Sequence, residues 1–197
     1  MFIANRFLLA LATATLLSAC AGTDFKRPDS QALVVNKSTA ADVTRVMGAP
    51  RQVGEAVKNE QKIKTSQYVY ATTGGESLYA GVVPARAMVF STFNDVLVGQ
   101  EFVSSFKIDA TEFDETKIKD LVKGKTTRAE VEVLLGKPSG EVIYPIIKRT
   151  GEKAYVYGYS HAKGSAFNMK FYAKTLIVSL DAAGVVSEVD YSSSGEK

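Results

Sequence analysis

The 197-residue chain carries one sequence pattern twice. Residues 36–50 align without a gap with residues 124–138 at an offset of 88, and both copies contain Lys-Ser/Thr-Thr, an amphipathic stretch and a closing Gly-x-Pro. A pattern that recurs at a fixed spacing indicates one supersecondary unit present in two copies. The repeat therefore predicts two tandem units, over residues 29–110 and 111–197.

Landmarks further along each copy also match. At an offset of 87, the matched pairs are Tyr68-Val69-Tyr70 with Tyr155-Val156-Tyr157, and Glu101 with Glu188. Because the offset changes by only one residue, we expect the later parts of the two copies to superpose in this register.

Each copy begins with a helical pattern. A capping box needs a hydroxyl residue followed three positions later by an acidic or amide residue, and both copies have one: Thr39 with Asp42, and Thr127 with Glu130. Apolar residues follow at helical spacing, and glycine and proline end the pattern. A shorter helix is predicted before each of these, at residues 29–35 and 114–122.

After the helices, the pattern changes to period two with strand-forming residues. Six strands are predicted, near residues 65–72, 86–93, 97–105, 153–160, 173–181 and 185–192. The expected fold class is therefore α+β: two tandem helix-helix-strand-strand-strand units, with the antiparallel sheet covered by helices on one face.

The N-terminus has the layout of a secretory signal. Arg6 precedes an apolar stretch over residues 7–17, which is too short to span a bilayer. The tetrapeptide Leu17-Ser18-Ala19-Cys20 then resembles the lipobox of bacterial lipoproteins. An ordinary signal peptide would leave a lone thiol at the cleavage site, which is a liability in an oxidising compartment.

The lipobox resemblance implies cleavage between Ala19 and Cys20 and attachment of lipid, palmitate included, to the cysteine. Residues 1–19 are then a signal peptide and residues 20–28 a lipidated polar tether. In lipoproteins of Gram-negative bacteria, aspartate after the cysteine favours retention in the inner membrane. Because Ala21 stands there, the resemblance implies the periplasmic face of the outer membrane.

The composition excludes several kinds of site. The formal net charge is only +3, and neither half of the chain is strongly basic, which gives no support for nucleic-acid binding. One cysteine cannot form an intrachain disulfide, and one cysteine with one histidine leaves too few ligands for most metal sites. We therefore expect no nucleic acid, no metal and no cofactor.

Three short motifs suggest enzyme chemistry but lack their context. Residues 104–107 have the Ser-x-x-Lys spacing of penicillin-interacting enzymes, but they end a predicted strand instead of starting a helix. Residues 124–126 lack the earlier glycine of a phosphate-binding loop. His161 is the only histidine, so acid–base catalysis has little support. We predict that the chain is not an enzyme.

Both copies resemble the BamE-like (SmpA/OmlA) family of outer-membrane lipoproteins, through the short helix, the Lys-Ser/Thr-Thr start, the Gly-x-Pro stop and the lipobox. BamE resembles one unit, whereas this chain has two. Two tandem units resemble instead the layout of the β-lactamase inhibitor protein, whose joined sheets form a concave protein-binding face. Both resemblances imply a protein that binds other proteins without catalysis.

Tyrosines alternate along one predicted strand of each copy and so share a face of the sheet. If the helices cover the other face, these residues line an open protein-binding surface: Tyr68, Tyr70, Tyr155, Tyr157 and Tyr159. The alternative is that the rings are part of the core.

The segments between the first and second strands of each copy, residues 73–85 and 160–172, are long and apolar for loops. Their candidate contact residues are Leu78, Tyr79, Phe167 and Phe171. They indicate either contact with a membrane or protein surface, or strands that simply continue into a longer hairpin.

We therefore expect an outer-membrane-anchored periplasmic lipoprotein that acts as a protein-interaction module with an envelope protein as partner, in outer-membrane assembly or envelope integrity. Two alternatives remain open. One is an inhibitor-like binder of a periplasmic enzyme, and the other is a lipid- or small-ligand-binding module.

Overall fold

The computed structural model describes residues 22–109, 111–165 and 167–196, so the predicted signal peptide, its cleavage site and Cys20 lie outside the described residues. The elements are α1 (Ala40–Met47), β1 (Gln52–Lys58), β2 (Gln61–Ala71), β3 (Val82–Val83), β4 (Ala85–Phe93), β5 (Val96–Ser104), α2 (Arg128–Leu135), β6 (Gly140–Ile143), β7 (Lys153–Ser165), β8 (Asn168–Leu180) and β9 (Val186–Gly195). Two short 3-10 helices cover Lys107–Asp109 and Glu115–Asp120.

Within the described residues, the nine strands form one antiparallel sheet in the order β1-β2-β4-β5-β6-β7-β8-β9, and β3 pairs with β7 off this path. The sheet is curled into a half-barrel. The two copies are joined by β5 and β6, which pair over residues 99–101 and 140–142. Strand β5 would otherwise present an unpaired edge at the middle of the molecule.

The predicted α+β class is wrong, because the protein is mainly antiparallel β and does not form two helix-covered units. The two α-helices have eight residues each, and no helix forms at residues 29–35. Strands β1 and β6 and the long β7–β8 hairpin account for the additional β-structure. The predicted loop over residues 160–172 is therefore the continuation of a hairpin, with one residue pair after another up to Ser165–Asn168.

Residues 22–28, which belong to the predicted polar tether, lie against the sheet. The backbone of Gly22 lies so close to β2 that a Cβ there would overlap the carbonyl oxygen of Val69. Phe25 packs against the core of the first copy. Arg27 donates to the carbonyl of Pro138 at 3.1 Å. The chain is thus held to the sheet from the first described residue onward.

The capping boxes are confirmed: in both copies, the threonine and the acidic residue exchange hydrogen bonds with each other's backbone. After each helix, a tyrosine hydroxyl donates to the carbonyl of the glycine that ends it. Tyr68 donates to Gly48 at 2.9 Å, and Tyr157 donates to Gly136 at 3.0 Å. Tyr68 therefore corresponds to Tyr157, and its predicted match with Tyr155 is wrong. Three tyrosines two residues apart make this register ambiguous in the sequence, and the helix end decides it.

The apolar core lies on both faces of the sheet. One cluster surrounds Phe90 and Phe102 in the first copy, and a second surrounds Tyr157 and Leu176 in the second copy. Each α-helix adds only a few residues to these clusters, namely Val43, Met47, Val131, Leu134 and Leu135. A third, smaller cluster lies on the opposite face, next to the β5–β6 join. This third cluster borders the site described below.

Candidate functional site

Side-chain alternation and strand register divide the sheet into two faces. The face that meets α1 and α2, called here the helix face, carries Tyr68, Met88, Phe102, Tyr157 and Leu176. The other, called here the open face, carries Ile63, Val89, Glu101, Val142 and Val156. No α-helix packs on the open face within the described residues.

A segment after β6, residues 144–148, folds back over one end of the open face. Ile147 is buried against Val142 and Val156, and Ile146 packs beside it. The side-chain amide of Asn59, in the β1–β2 turn, donates to the carbonyls of Pro145 and Ile147, both at 2.9 Å. These bonds tie the first copy to the second across the curled sheet.

Above this segment, the open face has a cleft of about 240 Å³. Strands of both copies line it, and the lining is largely apolar or small: Ala56, Ile63, Val89, Gly99, Ile146 and Ile177. A Cβ at Gly99 would overlap the ends of Ile146 and Val142, so these two side chains pack directly over the glycine. The cleft therefore exists because the two copies share one sheet.

One acidic side chain lies in this apolar cleft. The carboxyl group of Glu101 extends over Gly158 of β7, where a Cβ would lie 2.7 Å from its Oε1. Burial raises the pKa of Glu101 above its usual value, because the surroundings disfavour the charged form. A donor or cation brought to this carboxyl group would offset that penalty.

The volume and lining of the cleft limit what can occupy it. Its volume is below the 300–1,000 Å³ that is typical of small-molecule and cofactor sites. Its lining offers no histidine, cysteine or tyrosine. The described residues contain no group of three or more metal-ligating side chains. A space of this size holds one large apolar side chain beside a carboxyl group.

The structure does not form the predicted open tyrosine surface. Tyr68, Tyr155, Tyr157 and Tyr159 are buried, with at most 8% of each exposed. They lie on the helix face, where Tyr155 and Tyr157 belong to the second core cluster. Tyr70 is only partly exposed, and its ring stacks on Phe106 at 6.2 Å. The alternative of core packing is therefore correct for the four buried rings.

The four candidate loop residues are all exposed. Tyr79 is 42% exposed, its hydroxyl bonds to Glu112, and its ring contacts Tyr159 and His161 at 6.1 and 6.2 Å. Its neighbour in the chain, Leu78, is also exposed. Phe167 lies in the β7–β8 turn, and Phe171 on β8 is 67% exposed.

The motifs set aside in the sequence have structural roles. The hydroxyl of Ser104 bonds to Asp109, and Lys107 pairs with Glu76 at 3.3 Å, so this serine and this lysine have separate partners. His161 is buried between aromatic rings, with Tyr159 at 5.6 Å.

Sequence reasoning missed the cleft, although one signal for it was present. Gly158 lies between Tyr157 and Tyr159 on β7, and an isolated glycine inside a strand often marks a close approach by another group. The pairing of β5 with β6 had no such signal, because β6 has only four residues.

No protein-family model matches the chain, and no curated protein matches it. The resemblance to the SmpA/OmlA family thus gains no support from these comparisons. Among solved structures, the chain is similar to a protein from Streptococcus mutans described as a candidate β-lactamase inhibitor protein, with 10% identity over 83% of this chain and 91% of that chain. The TM-score is 0.41, and a likeness at that level carries no argument about function.

Over the described ranges, helices of membrane-spanning length and apolarity are absent.

Proposed function

We propose that the chain is a lipid-anchored, non-catalytic protein-interaction module on the periplasmic face of the outer membrane, and that its protein partner docks on the open face of the sheet. The observation that carries this proposal is the cleft of about 240 Å³ next to Glu101. Partner recognition is concentrated in a few large side chains that fill desolvated pockets of this kind.

The environment of Glu101 gives the partner a chemical character. Burial raises the pKa of this carboxyl group, so an incoming arginine or lysine would favour the ionised form and gain a charge-assisted hydrogen bond. An apolar side chain entering the cleft would meet Ile63 and Val89. We therefore infer a partner segment with one apolar anchor and one basic residue close to it.

The lipid anchor is supported by the sequence alone. The motif over residues 17–20 and the apolar run before it supply the signal and the attachment site. Two or more acyl chains on one residue hold a protein at a membrane stably, whereas one chain is marginal. We expect labelled palmitate to be incorporated by the wild-type chain and to be lost in Cys20→Ser.

Adjacent residues of β1 provide a matched test of the docking face. Ala56 lines the cleft, whereas Val57 points to the other side of the same strand and is 66% exposed. A photo-crosslinking amino acid is placed at either position in the full-length, tagged protein in its native envelope. We expect position 56 to capture a protein and position 57 to capture much less of it.

Two tryptophan substitutions, one at each position, complete the test. Ala56→Trp should fill the cleft and remove the captured partner, whereas Val57→Trp should leave capture unchanged. Capture at position 57 alone, or at neither position, would overturn the docking proposal. The identity of the captured protein distinguishes the two proposed roles. A barrel-assembly component indicates a role in outer-membrane assembly, and one soluble periplasmic enzyme indicates inhibition of that enzyme. Recovery of lipid alone would replace protein binding with ligand binding.

A further inference from the structure

One end of the sheet gathers the connections of both copies. Strand β2 leaves the sheet at Ala71 and β4 begins opposite it at Ala85, while β5 ends next to them at Ser104. The β7–β8 hairpin extends past the same level, because its residues 162–163 pair with β3. We call this end, formed by residues 72–84, 105–109, 162–165 and 167–171, the hairpin end.

Exposed apolar side chains concentrate there. Phe167 is fully exposed at 102%, Ile108 is 85% exposed and Phe171 is 67% exposed. Three further large apolar side chains are exposed at this end: Leu78, Tyr79 and Met169. Single exposed apolar residues are ordinary, but a group at one end of a molecule marks an interaction surface.

The tip of the hairpin projects beyond the rest of the sheet. On one side, β3 pairs with β7 up to Lys163; on the other, β9 pairs with β8 up to Tyr172. Beyond these positions, the strand pairing of the tip is between β7 and β8 alone, and Glu196 adds a backbone bond to the carbonyl of Phe171 and an ion pair with Lys170. Phe167 in the turn is therefore the outermost large side chain of this end.

The first described residue lies near this same end. Gly22, the first described residue, packs against the carbonyl of Val69, which is two residues before the end of β2. Cys20 stands two positions before Gly22, and an extended chain of two residues reaches at most about 7 Å. A lipid on Cys20 would hold the hairpin end at the membrane surface.

We propose that the hairpin end rests on the phospholipid surface beside the lipid anchor, with Phe167 inserted at the boundary between headgroups and acyl chains. This inference rests on the lipid anchor of the proposed function. Lys163 and Lys170 are strand partners next to the tip; Lys170 forms an ion pair with Glu196, and Lys163 beside the exposed aromatic rings suits an anionic lipid surface. Because residues 22–28 lie against the sheet, no long tether separates the lipid anchor from the hairpin end, and the two act together at the membrane. The open face then extends away from the membrane.

The sequence contains no tryptophan, so a single introduced one reports on its own position. Full-length lipidated protein carrying Phe167→Trp is reconstituted into vesicles of phosphatidylethanolamine and phosphatidylglycerol, with and without brominated acyl chains. The matched control is Val57→Trp, which is exposed near the β1–β2 turn at the other end of the sheet. We expect a blue-shifted emission and at least two-fold stronger quenching for Phe167→Trp than for the control.

Vesicle flotation separates the two proposals. If the wild-type chain does not float with vesicles and carries no lipid on Cys20, the anchor itself fails. If the chain floats but Phe167→Trp emits and is quenched like Val57→Trp, the membrane-resting hairpin end is wrong and this surface is left for a protein. Phe171→Trp repeats the measurement at a second position, should the turn variant fold poorly.

Discussion

Arg86 and Lys174 lie 88 residues apart and hold the same place in the two copies. Arg86 donates to the carbonyl of Phe25 at 2.8 Å, and its guanidinium lies 4.3 Å from the Phe106 ring centroid. Lys174 donates to the carbonyl of Phe113 at 2.7 Å, and its ammonium lies 4.5 Å from that ring. Phe25 and Phe113 are themselves 88 residues apart, so the first copy begins about four residues before its predicted boundary at residue 29, whereas Phe113 lies inside the predicted second unit.

These two cations attach the segment that precedes the α-helix of each copy to the helix face. Lys174 also pairs with Glu112 at 3.1 Å and with Glu115 at 3.6 Å, and its side chain is only 1% exposed. Removing one member of a buried ionic group leaves the others without compensation, which costs far more than losing a surface pair.

Lys174→Ala should lower the free energy of unfolding by about 3 kcal/mol. The matched control is Lys148→Ala, because Lys148 is 70% exposed and pairs with Glu188 at the surface; its effect should be much smaller, since solvent screens an exposed ion pair. Urea denaturation of both variants measures the difference. Equal losses of stability in the two variants would show that the buried ionic group of Lys174 stabilises the fold no more than a surface ion pair does.

Tyr68→Phe and Tyr157→Phe should each cost about 1 kcal/mol, because each removes one hydrogen bond to the carbonyl of a helix-ending glycine. Tyr191→Phe removes a bond to Glu115 from a ring that is 41% exposed, and it should cost less. Thermal unfolding compares the three. A loss in Tyr191→Phe as large as in the other two would contradict the assignment.

Glu101→Gln should stabilise the protein at neutral pH. Because the folded protein raises the pKa of Glu101, ionisation of this carboxyl group opposes folding, and wild-type stability falls as pH rises through the folded pKa. Glutamine stays neutral throughout. The advantage of the variant should therefore be present at pH 7–8 and disappear below about pH 4.

Denaturation measured across that pH range checks the Glu101 prediction. Glu55→Gln is the control, because Glu55 lies on the edge strand β1 and pairs at the surface with Lys62. An advantage of Glu101→Gln that does not change with pH would indicate a packing effect instead.

Thr39→Ala and Thr127→Ala should each cost about 1 kcal/mol, because each removes the N-cap hydroxyl of an α-helix. Thr44→Ala is the control within α1: its hydroxyl bonds back to Ala40 inside the helix, where alanine is favoured. Since the two caps lie in different copies, the double variant should lose the sum of the two. A clear departure from additivity would show that the two copies are coupled at their helices.

The sequence predicts the local elements better than it predicts their assembly. Capping boxes and helix-ending glycines are short-range patterns, and both copies form them. The predicted α+β fold class is wrong because β1 and β6 lack the usual strand pattern. Strand β1 is mostly exposed along its length, and β6 has only four residues. Their β-structure comes from pairing with β2, β5 and β7, which a local pattern does not contain.

The tyrosines show a second limit. Alternation correctly puts Tyr155, Tyr157 and Tyr159 on one face of the sheet, but it does not say which face meets the helices. Tyrosine has an apolar ring and a polar hydroxyl, so it serves equally in a core or at an interface. The hydrogen bond from Tyr157 to the end of α2 decides for the core. The cleft is beyond such reasoning, because it requires the pairing of two distant strands.

The join between β5 and β6 also sets an order of events in an exported chain that emerges from its N-terminus. Strand β6 begins 36 residues after β5 ends, so all strands of the first copy emerge before the strand that covers its edge. Until β6 arrives, the edge of β5 is an open template for another chain, and shielding of that edge matters in this interval and not afterwards.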